Sequence, residues 1–371
     1  MKNEHSKIAI VIGTKAELIK CMPIMLELQK QKRDYWFIHT GQHSLKDSCE
    51  KFDLKKPDFI LSEAPKKSSK FLSKITFETF LWNIKTMIDI RKIINNLKPK
   101  YVLYHGDTMN TAMAVGASSW VLNPFKKWKT VHLEAGLRSG SLSEPFPEEF
   151  IRRIADRFSD ILLVVSDLSE NNLKKEKASG KIIKVGNTIL DAAPIALEKG
   201  KKKYRKEKKD YALINIHRHE NLKDKKRLQR IVEIIKGVKI NAIWPIHDNT
   251  RYFLEKYRFI NQILEKKNIK MVPLTDYINF IFLLANCKYL ITDGGSIQEE
   301  SLVFRKPCVI LRKKTERQEG LSTGINFLTK LNVNYSRNII NDIESGKINV
   351  KKFKNPYGEW GLSKKIVDIL R

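Results

Sequence analysis

Two doubly wound α/β domains are what this sequence predicts, and three observations predict them. Short runs of buried-strand character recur along the chain, they end in small or polar residues, and most are followed by a helical pattern. The series breaks at residues 199–209, where eight of eleven residues are Lys or Arg and Tyr204 is the one apolar side chain. A run so charged buries nothing and reads as a solvated helix surface or a linker. After it the strand, turn and helix pattern restarts, and 371 residues are long for one core but comfortable for two. The expected division is residues 1–188 as a first domain, 189–354 as a second, and 355–371 returning the chain to the first.

Taken in order, residues 7–12 read as a buried strand, followed by Gly13-Thr14-Lys15-Ala16-Glu17 and an amphipathic helix over about 17–31. A second strand spans 35–40 and ends in Gly41-Gln42-His43; residues 72–97 read as one long helix or two shorter ones. The strand at 101–105 ends in His105-Gly106-Asp107-Thr108, and the helix after it, about 110–121, is rich in Ala and Gly and so closely packed. Strands at 130–133 and 161–165 end in Glu134-Ala135-Gly136 and Ser166-Asp167. Beyond the basic run come a strand at 212–216 ending in His217-Arg218-His219-Glu220-Asn221, a helix over 225–236, and strands at 242–246 and 269–272. A helix from Tyr277, a strand from Tyr289, a strand at 307–311 and a last helix over 362–369 complete the pattern. Ligands of open α/β sheets bind beyond the carboxyl ends of the strands, so the polar strand ends define one face of a cleft between two Rossmann-like halves.

Residues 290–300 are the stretch around which the rest is organised. They join an apolar strand to a helix through Gly294, Gly295 and Ser296. Glycines at such a turn let backbone approach a ligand, and the free N–H groups of the following helix favour an anion, which suits a diphosphate. Glu299 and Glu300, in the first turns of that helix, are placed to accept from ribose hydroxyls. Taken alone, the stretch reads equally as a helix start capped by Asp293 and Ser296.

Composition narrows the classes. A hydrophobic fraction of 42% belongs to a folded globular chain, and the longest apolar run, about ten residues at 278–287, is too short to span a bilayer. Residues 1–7 are polar, the pattern expected where no signal peptide is present. Cys21, Cys49, Cys287 and Cys308 lack metal-ligand spacing and read as reduced thiols of a cytoplasmic protein. The formal charge of +29 is dominated by lysine and reads first as a generic basic surface, with weak attraction to anionic lipid or glycan as the functional alternative. Basic residues interleaved with aromatics are absent, so no nucleic-acid partner is expected.

Polar residues gather at the strand ends: Lys15, Glu17, Lys20, His43, Asp107, Glu134, Arg138, Glu148, Arg152, His217, Arg218, Glu220, His247, Glu300, Glu316 and Arg317. His217-Arg218-His219-Glu220 and His132-x-Glu134 invite a metal reading, but neither has the i, i+4 spacing of a helical zinc site, and no metal or cofactor is expected. No Gly-x-Ser-x-Gly or Walker loop is present.

The pieces Gly13-Thr14-Lys15-Ala16-Glu17, His105-Gly106-Asp107-Thr108, His132-Leu133-Glu134-Ala135-Gly136-Leu137-Arg138, Pro147-Glu148-Glu149, Gly186-Asn187-Thr188, His217 to Asn221, Asp293 to Glu300, Thr315-Glu316-Arg317 and Asn355-Pro356-Tyr357-Gly358 resemble, in order, those of the UDP-N-acetylglucosamine 2-epimerase family. The resemblance implies a GT-B-like pair of Rossmann domains that binds a UDP-sugar. It implies removal of the C2 proton, expulsion of UDP to a glycal, and return of UDP, or of water in a hydrolysing branch, on the other face. By position, Asp107, Glu134 and Glu148 match the family's catalytic carboxylates and His217 its active-site histidine. Lys15, Lys20, Arg317 and the turn Gly294, Gly295, Ser296 match its diphosphate contacts, Glu300 its ribose contact and Phe280 a wall of the uracil pocket; Arg152 is retained from the family's Pro-Glu-Glu-x-Asn-Arg.

The sequence departs from the family pattern at Lys15 and Ala16 for Arg-Pro, at Gly294-Gly295-Ser296 for Ser-Gly-Gly, at Ile151 for Asn and at Gln318 for Pro. A lysine offers phosphate a point charge where arginine offers a planar fork. These departures motivate a second function, a GT-B-type glycosyltransferase using a nucleotide-sugar donor. A non-catalytic basic module binding RNA or lipid is a third and would not need the three carboxylates together. Association as a homodimer is open, as are the sugar and a second, regulatory nucleotide site near Gln42 and His43.

Overall fold

Parallel strands must be linked by crossovers, which cover both sheet faces and make the strands apolar throughout. The first sheet follows this rule. Its strands are β1 (Ile8–Ile12), β2 (Tyr35–His39), β3 (Phe59–Ile60), β4 (Tyr101–His105), β5 (Lys129–Ala135), β6 (Ile161–Val164) and β7 (Lys181–Lys184). They lie in the order β3-β2-β1-β4-β5-β6-β7 with every neighbour parallel, and β1 and β4 are buried along their whole length. The second sheet contains β8 (Tyr211–Asn215), β9 (Asn241–Ile246), β10 (Ile269–Pro273), β11 (Tyr289–Thr292), β12 (Cys308–Ile310) and β13 (Asn326–Leu328), ordered β10-β9-β8-β11-β12-β13 and again parallel. This computed structural model describes residues 8–64, 72–140, 147–348, 350 and 353–371. The strand expected from Lys7 therefore begins, among these residues, at Ile8.

The chain divides into two units, Met1–Ala192 with Tyr357–Arg371, and Ala193–Pro356. Each sheet reverses its winding direction once, between β1 and β4 in the first unit and between β8 and β11 in the second. Such switch points are where open α/β sheets leave a crevice at their carboxyl ends.

In the first unit the helix Leu72–Leu97 is continuous and has two unlike faces. Trp82, Thr86, Ile90 and Ile94, four residues apart, are buried, and the three apolar ones join Val102, Tyr104 and Met113 in the core. Phe77, Phe80, Leu81, Ile84 and Ile88 lie on the other face and are exposed. Its neighbour Met109–Ser118 packs closely because Gly116 has no side chain; a Cβ there would meet the Met87 sulfur at 2.6 Å. That helix stops three residues short of the expected end, where Ser119 turns extended.

The second unit is built around Trp244, fully buried among Ile214, Ile231, Ile235 and Tyr289. Pro245 sits inside β9, a position that would break a fully paired strand. Here the β8 ladder ends at Ile243, so the missing N–H faces no partner strand on that side. The strands β3, β7 and β13, of two to four residues, were not anticipated.

Part of residues 199–209 forms the end of the helix Ile189–Lys203 and the rest a loop. The last helix, Leu362–Ile369, packs on Lys15–Lys30, and Arg33 donates to the carbonyls of Val367 and Leu370 at 2.7 and 2.8 Å. Asp191 accepts from the backbone of Gly361 and Ser363, both at 2.7 Å. All four cysteines are free and buried; burial pushes the Cys49 thiol up to about 11 and that of Cys287 up to about 12, with Cys21 and Cys308 raised further. No helix among the described residues is long and apolar enough to cross a membrane.

Gly186 holds the returning segment. Its φ is +94°, and a Cβ would lie 2.5 Å from the Tyr357 carbonyl oxygen and 2.8 Å from Leu362. Gly186→Ala is expected to lower stability by about 1–3 kcal/mol, read as an earlier urea midpoint, and an unchanged midpoint would refute the assigned backbone geometry.

Candidate active site

At the switch point of the first unit the turn after β1 meets the turn after β4. Thr14 caps the helix Lys15–Lys30 and Glu17 closes the capping box. The Glu17 carboxylate accepts from the N–H groups of Gly13 at 2.7 Å and Thr14 at 2.9 Å, and also from the Thr108 hydroxyl beyond β4. Burial pushes the Glu17 carboxyl up, and these hydrogen bonds oppose the shift. The helix start is thus already supplied with an anion from its own chain. Lys15, the first helical residue, is exposed.

Glu134 occupies a bulge: the β5–β6 register shifts between Leu133 and Ala135, and Glu134 takes a φ of +68°. Bulges re-aim side chains, and a left-handed Glu persists only where its surroundings impose it. Its buried carboxylate pairs with Lys20, whose ammonium also donates to Asn187 Oδ1 at 2.8 Å, and lies 3.3 Å from His105 Nε2. Lys20, expected at the diphosphate, is engaged by these two groups. Asp107, about a quarter exposed, pairs with Arg152, which is buried and also bonds Glu149 at 2.8 Å. Glu148 and Glu149 begin the helix Glu148–Phe158; Glu149 turns inward to Arg152 and the Ser139 N–H, whereas Glu148 is half-buried.

Behind these turns lies a second polar group. His132 Nδ1 is 2.7 Å from Asp156 and its Nε2 is 2.8 Å from the Gly106 carbonyl. Arg138 pairs with Asp156 at 2.8 Å and with Glu176 at 2.6 Å. Burial pushes the Asp156 carboxyl up, but His132 and Arg138 outweigh it and hold it below the usual range.

In the second unit Asp293 is fully buried beyond β11 and accepts from the N–H of His217 at 2.9 Å, the N–H of Arg218 at 3.1 Å and the Asn221 amide at 3.0 Å. The turn after β8 is thereby fastened to the turn after β11. His217 Nδ1 lies 2.8 Å from Asn215 Oδ1, and its ring is 5.5 Å from that of His247. Burial lowers the His217 pKa against the pull of Asp293, and His247 and Arg218 lower it further.

Gly294 and Gly295 are needed for close approach, since their Cβ atoms would lie 3.2 Å from His217 Cε1 and 2.7 Å from Glu316. Ser296 opens the helix Ser296–Val303. Around this start stand Arg218, Arg312 and Arg317 with Glu316 and Glu299: Arg312 bonds Glu316 at 2.9 Å, Arg218 lies 3.7 Å from it, and Arg317 bonds Glu299 at 2.6 Å. Glu220 lies 3.6 Å from Arg218, so the three guanidinium groups are matched by three carboxylates, and it is the positive end of the helix dipole that favours an anion here. Glu300 is buried one turn along, beside the Tyr277 hydroxyl, which burial and then the charges of Glu300 and Glu299 hold well above its ordinary pKa. Phe280 follows Tyr277 by one turn of the helix Tyr277–Asn286 and is buried.

His132 and Asn187 lay within recognised motifs; Tyr277 was read only as a helix start, and Asp156 and Arg312 had no motif at all. Among the described residues no cluster of three His, Cys, Asp or Glu side chains is arranged to hold a metal. Removing one partner of a buried ion pair leaves a charge without compensation. Lys20→Met is therefore expected to cost roughly 3–5 kcal/mol in urea unfolding, with Glu134→Gln in the same chain recovering part of the loss. Simple addition of the two losses would contradict the pairing.

Comparison with known proteins places this architecture. A family model described as UDP-N-acetylglucosamine 2-epimerase matches residues 26–371. The chain is 32% identical over 381 residues to the UDP-N-acetylglucosamine 2-epimerase of Methanocaldococcus jannaschii, covering 98% of each. It is 29% identical over 358 residues to the UDP-2,3-diacetamido-2,3-dideoxy-D-glucuronate 2-epimerase of Pseudomonas aeruginosa, covering 93% of each. The solved M. jannaschii enzyme in complex with UDP-GlcNAc and UDP superposes with a TM-score of 0.81 at 32% identity, over 98% of this chain and 99% of that one. With its two parallel sheets and the turn motifs at both switch points, this chain belongs to the UDP-N-acetylglucosamine 2-epimerase family.

Proposed function

We propose that this protein inverts C2 of UDP-N-acetylglucosamine by removing the C2 proton, breaking the C1–O bond to release UDP, and then returning UDP to the same face of C1 while a proton is delivered to the opposite face of C2. The observation that carries this reading is Glu134, a carboxylate aimed by a bulge and held between Lys20 and His105 in a unit that also presents Asp107 and Glu148. A C2 proton is weakly acidic, so its removal needs a positioned base, an acid for the return step, and stabilisation of the leaving diphosphate. Asp107, Glu134 and Glu148 take the proton roles. The Gly294-Gly295-Ser296 helix start, Arg317, Lys15 and His217 take the diphosphate, with Lys20 and Arg152 fixing the carboxylates. Glu300 takes the ribose and Phe280 the uracil. Water adding to the glycal in place of UDP is the hydrolysing outcome of the same chemistry.

The Pseudomonas relative is named for a different UDP-sugar, so both that sugar and UDP-N-acetylglucosamine are to be offered. Incubation in deuterated water should place deuterium at C2, and Asp107→Asn, Glu134→Gln and Glu148→Gln should each cut exchange on the order of 10²-fold. Turnover that appears only when an acceptor is added, with near-normal rates in two of the three variants, would identify a glycosyltransferase instead. Glu300→Ala should remove most of the stabilisation that UDP confers, a loss of roughly 1.5–3 kcal/mol in binding.

His217 adds a pH signature. Its pKa is lowered in the free protein, and a diphosphate beside the ring would raise it, so UDP binding takes up a proton. Affinity should therefore rise as pH falls toward the lowered pKa of the free histidine, and calorimetry in buffers of different ionisation enthalpy should register the uptake. His217→Asn should abolish it; uptake persisting in that variant would assign it elsewhere.

The chain works as a cytoplasmic homodimer in this reading. The exposed row Phe77, Phe80, Leu81, Ile84 and Ile88 supports the second copy. An antiparallel crossing of two such helices about Leu81 and Ile84 would set each of these side chains against the other in the second copy. Leu81→Glu with Ile84→Glu, which sets like charges against each other across the two-fold, should give a monomer in sedimentation, and an unchanged dimer would exclude this face. A groove of about 980 Å³ lined by Lys206, Lys208, Lys209, Lys267 and Lys270 supports weak attraction to anionic lipid or glycan.

A further inference from the structure

We propose that His132 and Asp156 are positioning residues that fix the Asp107 and Glu134 turns relative to one another. The proposal rests on the proton roles given above to those two carboxylates. His132 lies on β5, fully buried, and reaches outward from both sides of its ring. Nε2 meets the carbonyl of Gly106, the residue before Asp107, at 2.8 Å. Nδ1 meets Asp156 at 2.7 Å, and the Asp156 oxygens accept from the N–H of Gly136, two residues after Glu134, at 3.3 and 3.2 Å. One ring thus holds the β4 turn, one carboxylate holds the β5 turn, and the two are bonded together.

A carbonyl oxygen only accepts, and so does an ionised carboxylate, so the ring satisfies both partners when each nitrogen carries a hydrogen. Asp156 stays ionised because His132 and Arg138 face it, with Glu176 beyond Arg138 and the Tyr104 ring 5.8 Å from His132. Stability alone gives little reason for this arrangement, since apolar residues of similar volume serve a core as well as a buried ion pair does. Geometry gives one. Glu134 sits in a left-handed bulge, and the bonds flanking it, Gly106 N–H to the Leu133 carbonyl at 3.1 Å and Gly136 N–H to Asp156, are those that His132 and Asp156 complete.

The test uses the two amides that each imitate one ring nitrogen. Asparagine places its nitrogen near Nδ1 and keeps a donor toward Asp156; glutamine reaches the Nε2 position and keeps a donor toward Gly106. His132→Asn should lower kcat for C2 exchange on the order of 10²-fold, with KM and UDP-dependent stabilisation within about threefold of wild type, because a displacement near 1 Å suffices for such a loss. His132→Gln should regain about tenfold of it. Asp156→Asn, which keeps the shape and disturbs the same bond that His132→Gln gives up, should match His132→Gln and serves where a histidine variant does not fold. Equal losses in Asn and Gln, near-normal kcat in folded variants, or KM rising in step with the loss would overturn the proposal. Asp107→Asn separates the two readings. If it retains exchange, the assignment of the carboxylates fails; if it loses exchange while His132→Asn does not, the positioning role alone fails.

Discussion

A carboxylate can be buried only where donors surround it, and in each unit of this protein one such carboxylate ties strand ends of its own sheet together at the switch point. Glu17 accepts from the turn after β1 and from Thr108 beyond β4; Asp293, beyond β11, accepts from the turn after β8. Each joins the two strand ends between which the winding reverses, so each fixes the mouth of its own crevice. The same device has opposite electrostatic results. In the first unit the carboxylate sits on the helix start itself and satisfies its N–H groups. In the second it sits before the glycine turn, faces the other strand, and leaves the helix Ser296–Val303 with its positive end beside three arginines. Proton chemistry suits the first arrangement and diphosphate the second.

Much of this was legible in the sequence because the turns are local. Strand runs buried on both faces are short, continuous and apolar, and those at 101–105, 161–165 and 269–272 stand within one residue of the expected ends. The helices over 225–236 and 362–369 stand at the expected residues. What escaped is what forms at long range. Asp156 is 24 residues from His132, and Asn187 is 167 from Lys20, so no spacing rule could pair them. Glu148 and Glu149 are adjacent and alike in sequence; only the packing of Arg152 decides that Glu149 turns inward. The Glu134 bulge was equally hidden, since a register shift depends on the strand alongside. The edge strands β3, β7 and β13 are too short to carry a periodicity.

Charge is divided by residue type as well as by place. The exposed cations are mostly lysine, whereas the buried cations Arg138, Arg152, Arg312 and Arg317 are guanidinium groups, each bonded to at least one carboxylate. Among the described residues Lys20 is the one buried lysine. A planar fork shares its donors between two partners, as Arg152 does between Asp107 and Glu149, and loses less rotamer freedom for each bond formed. A point charge serves at Lys20, where the Glu134 carboxylate and the Asn187 amide oxygen converge. The formal charge of +29 is therefore mostly solvated ammonium and says little about the site.

The buried thiols have a practical consequence. Thiolate is the reactive form, and all four cysteines lie out of reach of solvent with their pKa values raised by burial. The folded native chain is thus expected to react slowly with maleimides at its own thiols. A cysteine placed on any exposed helix becomes the only site that a fluorophore or spin probe can find, with no need to strip the native thiols from the core they help to fill.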